Sequence, residues 1–202
     1  LSGISIQDKY KFKSVSTDAV AAITDSNSAA VLISSRHNSH FEYVKLGLEH
    51  NKHIYVEKPL CLNRRELEVL VESYNNNFNK TLSVGFNRSF SPYFNEAKKS
   101  IGPGKKSILY RISAGKLDGE AWQNDLAIGG GRVIGELCHF VEFITSLVES
   151  SVVEVSAKVF DLGDGNQDFH VSMLYEDNSV GTILYLASGA AGIEKEYIEI
   201  HQ

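Results

Sequence analysis

Cysteine is scarce in this sequence. The 202 residues include two, Cys61 and Cys138, which are too few for a disulfide framework. The opening residues, LSGISIQDKYKFK, also lack the apolar core of a signal peptide. Secretion therefore has no support, and we expect the protein to reside in a reducing cytoplasm.

Long apolar runs and basic clusters are missing as well. The longest apolar runs, such as residues 29–33, are far too short to cross a bilayer. The formal net charge is -5 and the basic residues are scattered, so the sequence shows no electrostatic footprint for nucleic acid or an anionic membrane surface, and these partners are disfavoured. With 43% hydrophobic and 22% charged residues, the composition is that of a globular protein with one or two domains.

The first part of the chain alternates apolar runs with helical patterns, as parallel βαβ units do. We predict buried strands at residues 29–34, 53–56 and 81–86. One helix is predicted from Ser39, which forms a capping-box pattern with Glu42, and a second helix from Asn63. The apolar stripe of this second helix comprises Leu67, Leu70, Val71 and Tyr74.

The pattern changes after residue 86. A helix starting at Pro92 precedes a strand at residues 107–113, a long loop and a helix through Leu137, Phe140, Val141 and Ile144. Alternating apolar residues and two turns, at Asp164-Gly165 and Asp177-Asn178, then predict antiparallel strands. We therefore predict an α/β fold: a partial Rossmann-like parallel sheet over residues 1–86, followed by an α+β domain with a mainly antiparallel sheet over residues 87–202.

Polar side chains follow each of the three predicted parallel strands. Ligands of open parallel sheets bind beyond the carboxyl ends of the strands, so these side chains are candidate ligand contacts. They are Ser35, Asn38 and His40 after the first strand, Glu57, Lys58 and Pro59 after the second, and Asn87 and Arg88 after the third.

The sequence Glu57-Lys58-Pro59 can form a fixed corner, because proline restricts the residue before it and an X-Pro bond readily becomes cis. An ammonium held in such a corner can donate a hydrogen bond to a hydroxyl or carbonyl oxygen and stabilise negative charge there. The alternative is that Glu57 and Lys58 end a strand and make ordinary surface pairs.

A second candidate is His139, in the stretch GGGRVIGELCH. Its apolar neighbours also suit a buried structural histidine, which is the commoner state of such a residue. The glycines do not match G-x-G-x-x-G, since the third one comes a residue late. The histidines and cysteines lack zinc-site spacing and no G-x-S-x-G elbow is present, so we expect neither a metal site nor a serine hydrolase.

Three stretches together resemble the glucose-fructose oxidoreductase / inositol dehydrogenase / rhizopine-catabolism (Gfo/Idh/MocA) family: AAVLISSRHNSHFEYVKLGLEHNKHIYVEKPL, LSVGFNRSFSP and GGGRVIGELCHFVEF. The resemblance covers most of the chain and implies an NAD- or NADP-dependent oxidoreductase acting on a sugar, an inositol or a related polyol. It further implies a homo-oligomer. The residues of these stretches are most similar to those of members fused behind an alcohol dehydrogenase-like module.

The resemblance also implies roles for individual residues. Lys58 matches a lysine that touches nicotinamide and substrate, and His139 matches the histidine that handles the substrate's hydroxyl proton. Trp122 lies in the loop that usually closes over the substrate, although an ordinary packing tryptophan is as good an interpretation. The remaining matches are cofactor contacts at Ser35, Asn38, His40, Glu57, Pro59 and Asn87, and a nicotinamide or substrate contact at Arg88.

The sequence departs from the family pattern in two places. Many members have an aspartate four residues before the histidine, where this chain has Gly135, so Glu136 is the candidate catalytic substitute. The family's glycine-rich phosphate cradle should precede Leu1, and we expect the chain to be a fragment that binds NAD weakly on its own.

Two other functions stay open alongside the dehydrogenase. One is an NAD-dependent glycosidase that oxidises its sugar transiently. The other is a non-catalytic regulatory or assembly protein of the same fold that responds to a sugar or a dinucleotide. Retention of both Lys58 and His139 favours an enzyme.

Overall fold

The computed structural model describes residues 3–76, 79–163, 165–190 and 192–202. The chain divides into two compact units, residues 1–84 and 85–202. Each unit has its own cluster of buried hydrophobic side chains. The predicted turn residue Asp164 lies outside the described residues.

The first unit contains a three-stranded sheet with strand order β1-β2-β3. Strands β1 and β2 run parallel, with Ala30 opposite His53 and Ile33 opposite Val56. The elements of this unit are α1 (Gly3–Tyr10), α2 (Ala19–Thr24), β1 (Ala30–Ile33), a 3-10 turn (His37–Ser39), α3 (His40–Glu49), β2 (His53–Glu57), α4 (Arg64–Asn75) and β3 (Leu82–Gly85). The alternation of strands and helices was correctly predicted from the hydrophobic pattern.

Helix α3 packs closely on strand β2. A Cβ atom at Gly47 would lie 2.9 Å from Cδ1 of Ile54, so the helix contacts the strand where the side chain is smallest. Asn51 then ends the helical segment in the left-handed conformation, with φ 52°. The core of the unit comprises Ile33, Val44, Leu48, Ile54, Val56 and Leu70.

Two local predictions for this unit are wrong. Ser39 does not cap α3, because its hydroxyl donates to the carbonyl oxygen of Arg36 and stabilises the preceding 3-10 turn. In α4, Leu70 is buried but its predicted stripe partners Leu67, Val71 and Tyr74 are largely exposed. Asn63 does cap α4, since its side chain accepts a hydrogen bond from the N–H of Glu66 at 3.0 Å.

The second unit contains a five-stranded mixed sheet with strand order β5-β6-β7-β4-β8. Neighbouring strands are antiparallel except β4 and β7, which run parallel. Its elements are a 3-10 turn (Asn87–Phe90), α5 (Pro92–Ser100), β4 (Ser107–Ser113), a π-helical turn (Val133–Leu137), α6 (Cys138–Val148), β5 (Val152–Asp161), β6 (Gln167–Tyr175), β7 (Val180–Leu186) and β8 (Glu196–His201). The two units together confirm the predicted fold class.

Helix α6 supplies one side of the second core. Its buried residues Phe140, Phe143, Ile144 and Leu147 belong to one cluster with the inward-facing residues of β4, β6 and β7. Strand β5 is different. Its predicted alternating burial fails: Val155 pairs with the buried Met173 but is itself 61% exposed, since β5 is the edge strand of the sheet.

Candidate functional site

The end of β2 forms the corner that the sequence predicts. Strand β2 ends at Glu57, and the Lys58–Pro59 peptide bond that follows is cis. Pro59 is buried, whereas Glu57 and Lys58 are half-buried. The hydroxyl of Tyr55 donates to Oε1 of Glu57 at 3.1 Å, so the carboxylate has a partner on its own strand. The corner therefore presents a carboxylate and an ammonium group at the carboxyl end of β2.

His40 joins the segments that follow β1 and β2. Its ring is fully buried, with Nδ1 2.7 Å from the carbonyl oxygen of Pro59 and Nε2 3.1 Å from that of Ser35. Because both ring nitrogens face backbone oxygens, the buried ring of His40 holds the segment at Pro59, next to Lys58, close to the segment at Ser35. We interpret it as a support for the predicted cofactor crevice.

The loop after β1 presents small polar groups. Ser35 and Asn38 are exposed, and the Ser35 hydroxyl lies 2.6 Å from that of Ser39. Together with Glu57 and Lys58, they place hydroxyl, amide, carboxylate and ammonium groups at the carboxyl ends of β1 and β2. The first unit thus brings together six of the predicted site residues: Ser35, Asn38, His40, Glu57, Lys58 and Pro59.

The second unit holds the other predicted site residues, beginning with His139. This histidine is the second residue of α6 and is 7% exposed. Its ring makes an edge contact with Phe86, with centroids 6.0 Å apart, and lies beside Phe140. The π-helical turn Val133–Leu137 immediately precedes α6, and π turns within helices are frequent at functional sites.

Glu136 lies within this π turn and takes part in a hydrogen-bonded cluster. The hydroxyl of Tyr185, on β7, donates to Oε2 of Glu136 at 2.5 Å. The buried guanidinium of Arg132 lies 3.3 Å from Oε1 of the same carboxylate and 2.5 Å from the Tyr185 hydroxyl. Both carboxylate oxygens of Glu136 are therefore engaged by other side chains of the unit.

The Tyr185 hydroxyl remains a proton donor at every ordinary pH. Burial raises the pKa of Tyr185 far above its usual value of 10.0, and the neighbouring Glu136 carboxylate raises it further, while Arg132 opposes the change. The hydroxyl therefore stays protonated around neutral pH and can donate its hydrogen bond to Glu136.

Arg88 belongs to a second cluster of the same three residue types. Its Nη2 lies 2.7 Å from Oε1 of Glu196, and the hydroxyl of Tyr110 donates to Oε2 of that carboxylate at 2.5 Å. The guanidinium also covers the ring of Phe140, with Cζ 4.7 Å from the centroid. These partners fix Arg88 inside the unit, where it lines a cavity of about 740 Å³ together with Asn87.

Opposing effects act on the carboxyl group of Glu196. Partial burial raises its pKa, but the hydrogen bonds from Arg88 and Tyr110 outweigh burial and hold it below the usual 4.5. Burial, followed by the Glu196 carboxylate, raises the pKa of Tyr110 far above 10.0. At neutral pH the cluster therefore contains a cationic arginine, an anionic glutamate and a neutral tyrosine.

Trp122 lies in the loop between β4 and the π turn. The backbone of this loop is tied to itself: the N–H groups of Gly129 and Gly130 both donate to the carbonyl oxygen of Asp125. Trp122 is half-buried and lines a cavity of about 970 Å³ with polar residues that include Glu120, Asn124 and Asn166. Aromatic and polar side chains around one hollow are suited to hydroxyl-rich ligands.

Metal binding and membrane insertion find no support in the part of the chain that the structure describes. No group of three or more histidine, cysteine, aspartate or glutamate side chains is placed to hold a metal ion. None of the described helices is both long enough and apolar enough to cross a membrane.

Sequence reasoning missed four residues of the two clusters: Arg132, Tyr185, Tyr110 and Glu196. Tyr185 contacts Glu136 across 49 residues of sequence and Tyr110 contacts Glu196 across 86, so no local pattern connects them. The one available signal was the spacing of Arg132 and Glu136, since residues four apart on a helix are neighbours.

These features define a Rossmann-like α/β protein of two units. The first unit has a parallel sheet with polar residues at its strand ends. The second has a mixed sheet and a helix that carries a buried histidine. Residues 5–86 match the family model GFO_IDH_MocA, described as an oxidoreductase family with an NAD-binding Rossmann fold. The match covers most of the first unit and agrees there with the family resemblance that the sequence predicted.

Individual relatives extend the similarity into the second unit. The chain is 25% identical to a myo-inositol 2-dehydrogenase of Thermotoga maritima over 190 residues, which cover 93% of the chain and 55% of that protein. It is 26% identical to the uncharacterized oxidoreductase YrbE of Bacillus subtilis over 75% of the chain and 44% of that protein. The chain thus spans about half the length of these curated relatives.

Solved structures share the fold over nearly the whole chain. A levoglucosan dehydrogenase in complex with NADH and levoglucosan superposes with a TM-score of 0.84 at 20% identity, covering 98% of this chain and 58% of the other. This similarity establishes the fold alone.

Proposed function

We propose that the protein to which this chain belongs transfers a hydride between nicotinamide and a carbinol carbon of a sugar, an inositol or a related polyol. The observation that carries the proposal is the Lys58 corner at the carboxyl ends of β1 and β2, within the part of the chain that matches an NAD-binding family. The similarity to a myo-inositol 2-dehydrogenase supports the substrate class.

The residues present fit the nicotinamide end of an NAD or NADP cofactor. Ser35, Asn38, Glu57 and Lys58 offer donors and acceptors suited to ribose hydroxyls and a carboxamide. A glycine-rich phosphate cradle is not among the 202 residues. When bound, nicotinamide supplies or accepts the hydride.

The chain's own residues handle the proton and the oxygen. During oxidation, the imidazole of His139 takes the hydroxyl proton as the hydride leaves the carbinol carbon, and in the reverse direction it returns that proton. Lys58 donates a hydrogen bond to the same oxygen and stabilises the negative charge that develops there. Trp122 and Asn87 contribute to the walls of the substrate and cofactor sites in this proposal.

The remaining parts of the proposal concern location and assembly. We propose a cytoplasmic protein that forms homo-oligomers. The outer face of the five-stranded sheet supports the assembly, because the outward-facing strand residues Arg111, His170 and Tyr197 are partly or largely exposed. Fusion to an alcohol dehydrogenase-like module stays a prediction.

Kinetics of the intact protein test the enzymatic role. With a panel of inositols and sugars and either NAD or NADP, Lys58→Met and His139→Ala should each lower kcat by about 100-fold or more. Matched controls are Lys45→Met and His50→Ala, which alter a partly exposed and an exposed residue of the first unit and should leave turnover unchanged. Unchanged turnover in both site variants would refute the assignment.

The reaction products separate the alternatives. A dehydrogenase releases free NADH in amounts equal to the substrate oxidised. A glycosidase with retained NAD cleaves its substrate without that release, and a regulatory protein binds ligand without turnover. Either of the last two outcomes would replace the proposed activity.

A further inference from the structure

The π turn that precedes α6 determines the direction of the helix residues that follow it. The backbone N–H of Cys138 reaches the carbonyl oxygen of Val133, five residues earlier, which is the hydrogen bond that defines a π turn. Such a turn contains one residue more than an α turn, so its formation or loss rotates the side chains before it relative to those after it. His139 is the second residue after this turn.

Three side chains tether the π turn to the sheet. Arg132 directly precedes the turn and Glu136 lies within it, while Tyr185 projects from β7. The tyrosine hydroxyl accepts a hydrogen bond from Arg132 and donates one to Glu136, so it links both helical residues to the strand. Arg132 also donates to the carbonyl oxygen of Gly115, near the start of the loop that leads from β4 to the π turn.

Tyr185 contacts the segment on the other side of His139 as well. Its ring lies 6.1 Å from the ring of Phe140, the residue that follows the histidine. Tyr110 holds the same phenylalanine from β4, at 5.0 Å. The hydroxyl of Tyr185 therefore fixes the turn before His139 and its ring packs against the residue after it.

We infer that Arg132, Glu136 and Tyr185 form a positioning clamp that sets the orientation of the His139 imidazole. This inference rests on the proposed catalytic role of His139. It assigns Glu136 to the support of the histidine, in place of the catalytic role that the sequence suggested. At position 135, where the resemblance leads us to expect an aspartate, this chain has Gly135, so Glu136 is the carboxylate nearest in sequence before His139.

Removal of the Tyr185 hydroxyl is the first test. Tyr185→Phe keeps the ring and cuts the link between the π turn and β7, so kcat of the intact protein should fall about tenfold with KM changed less than about twofold. The matched control is Tyr175→Phe. Tyr175 is also buried on the inner face of the sheet, but its hydroxyl contacts Thr145, six residues beyond His139 on α6. Equal kcat values in the two variants, in a protein that His139→Ala inactivates, would overturn the clamp.

Two substitutions of Glu136 distinguish support from catalysis. Glu136→Gln keeps an oxygen that accepts the Tyr185 hydrogen bond, whereas Glu136→Ala removes it. A positioning role predicts that the glutamine variant retains most of the activity that the alanine variant loses. A catalytic carboxylate predicts that both variants lose activity equally, which would overturn the inference.

A measurement without substrate separates failure of the clamp from failure of the proposed function. In the chain labelled with ¹⁵N-histidine, the His139 ring resonances should shift in Tyr185→Phe and stay in place in Tyr175→Phe. If these resonances shift as expected but His139→Ala retains full turnover, the clamp is real and the proposed function is wrong. If the resonances do not shift, the clamp is wrong whatever the kinetics show.

Discussion

Tyr110 packs edge-on against Phe140, with ring centroids 5.0 Å apart and planes at 76°. Edge-to-face geometry of this kind adds to the stabilisation that burial alone provides. Tyr110 also donates a hydrogen bond to Glu196, and Arg88, which pairs with that carboxylate, covers the same phenylalanine ring. The packing of α6 against β4 and the charge pair at Glu196 are therefore parts of one arrangement, and a change in either should affect the other.

We expect Arg88→Met to destabilise the second unit. The substitution leaves the half-buried Glu196 carboxylate with Tyr110 as its remaining partner, which should lower the free energy of unfolding by about 1 to 3 kcal/mol. Urea unfolding near neutral pH measures this loss. Lys98→Met is the matched control, because it breaks an exposed pair with Glu149, and such pairs contribute little to stability.

The effect of Arg88→Met should depend on pH in a defined direction. The pKa of Glu196 is lowered in the folded protein, so this residue stabilises the fold above its ordinary value of 4.5. That contribution is lost as the pH falls through the folded pKa. The difference between the original protein and the variant should therefore shrink in acid, and a difference that grew with acidification would contradict the pairing.

We expect His40→Ala to weaken the first unit. The imidazole is fully buried and its nitrogens face the carbonyl oxygens of Pro59 and Ser35, so its removal leaves both a cavity and unsatisfied backbone oxygens. A loss of about 2 to 4 kcal/mol in the free energy of unfolding is expected. His50→Ala, at the exposed end of α3, is the control for losing a histidine. Equal stabilities of the two variants would remove the structural role given to His40.

We expect Cys61 to be a slow nucleophile. Burial raises the pKa of its thiol to about 11, and the charge of Glu66 adds to the effect. In the Cys138→Ser variant, where Cys61 is the remaining thiol, the rate of iodoacetamide modification should still be rising above about pH 9. Glu66→Gln should increase the rate at a fixed pH. A plateau near the ordinary thiol pKa would show that the environment of Cys61 is more polar than its neighbours indicate.

The sequence predicts the first unit well because its information is local. Apolar runs and cap residues such as Asn63 determine where each strand and helix begins. The exceptions depend on contacts distant in sequence. Ser39 is of a residue type that often caps helices, but its hydroxyl donates to Arg36 and stabilises the 3-10 turn before α3. The sequence pattern did not predict this turn.

The residues of the candidate site also fall into two groups: those that a short stretch of sequence predicts and those that depend on distant contacts. Lys58 and Pro59 were found because one short stretch contains both the strand and the residues that end it. Glu136 was found as a carboxylate near a histidine, but its partner Tyr185 lies on β7, 49 residues further along the chain. Pairings of that kind follow from tertiary packing, which composition and periodicity do not record.

The position of β4 in its sheet governs how the second unit can be assembled. Within the second unit this strand comes first in sequence, yet its neighbours in the sheet are β7 and β8, which come last among the strands of that unit. During synthesis, both edges of β4 therefore stay unpaired until the residues of β7, from Val180 on, have left the ribosome. A truncated chain that ends before β7 leaves β4 without partner strands, and we expect such a chain to depend on chaperones or to be degraded.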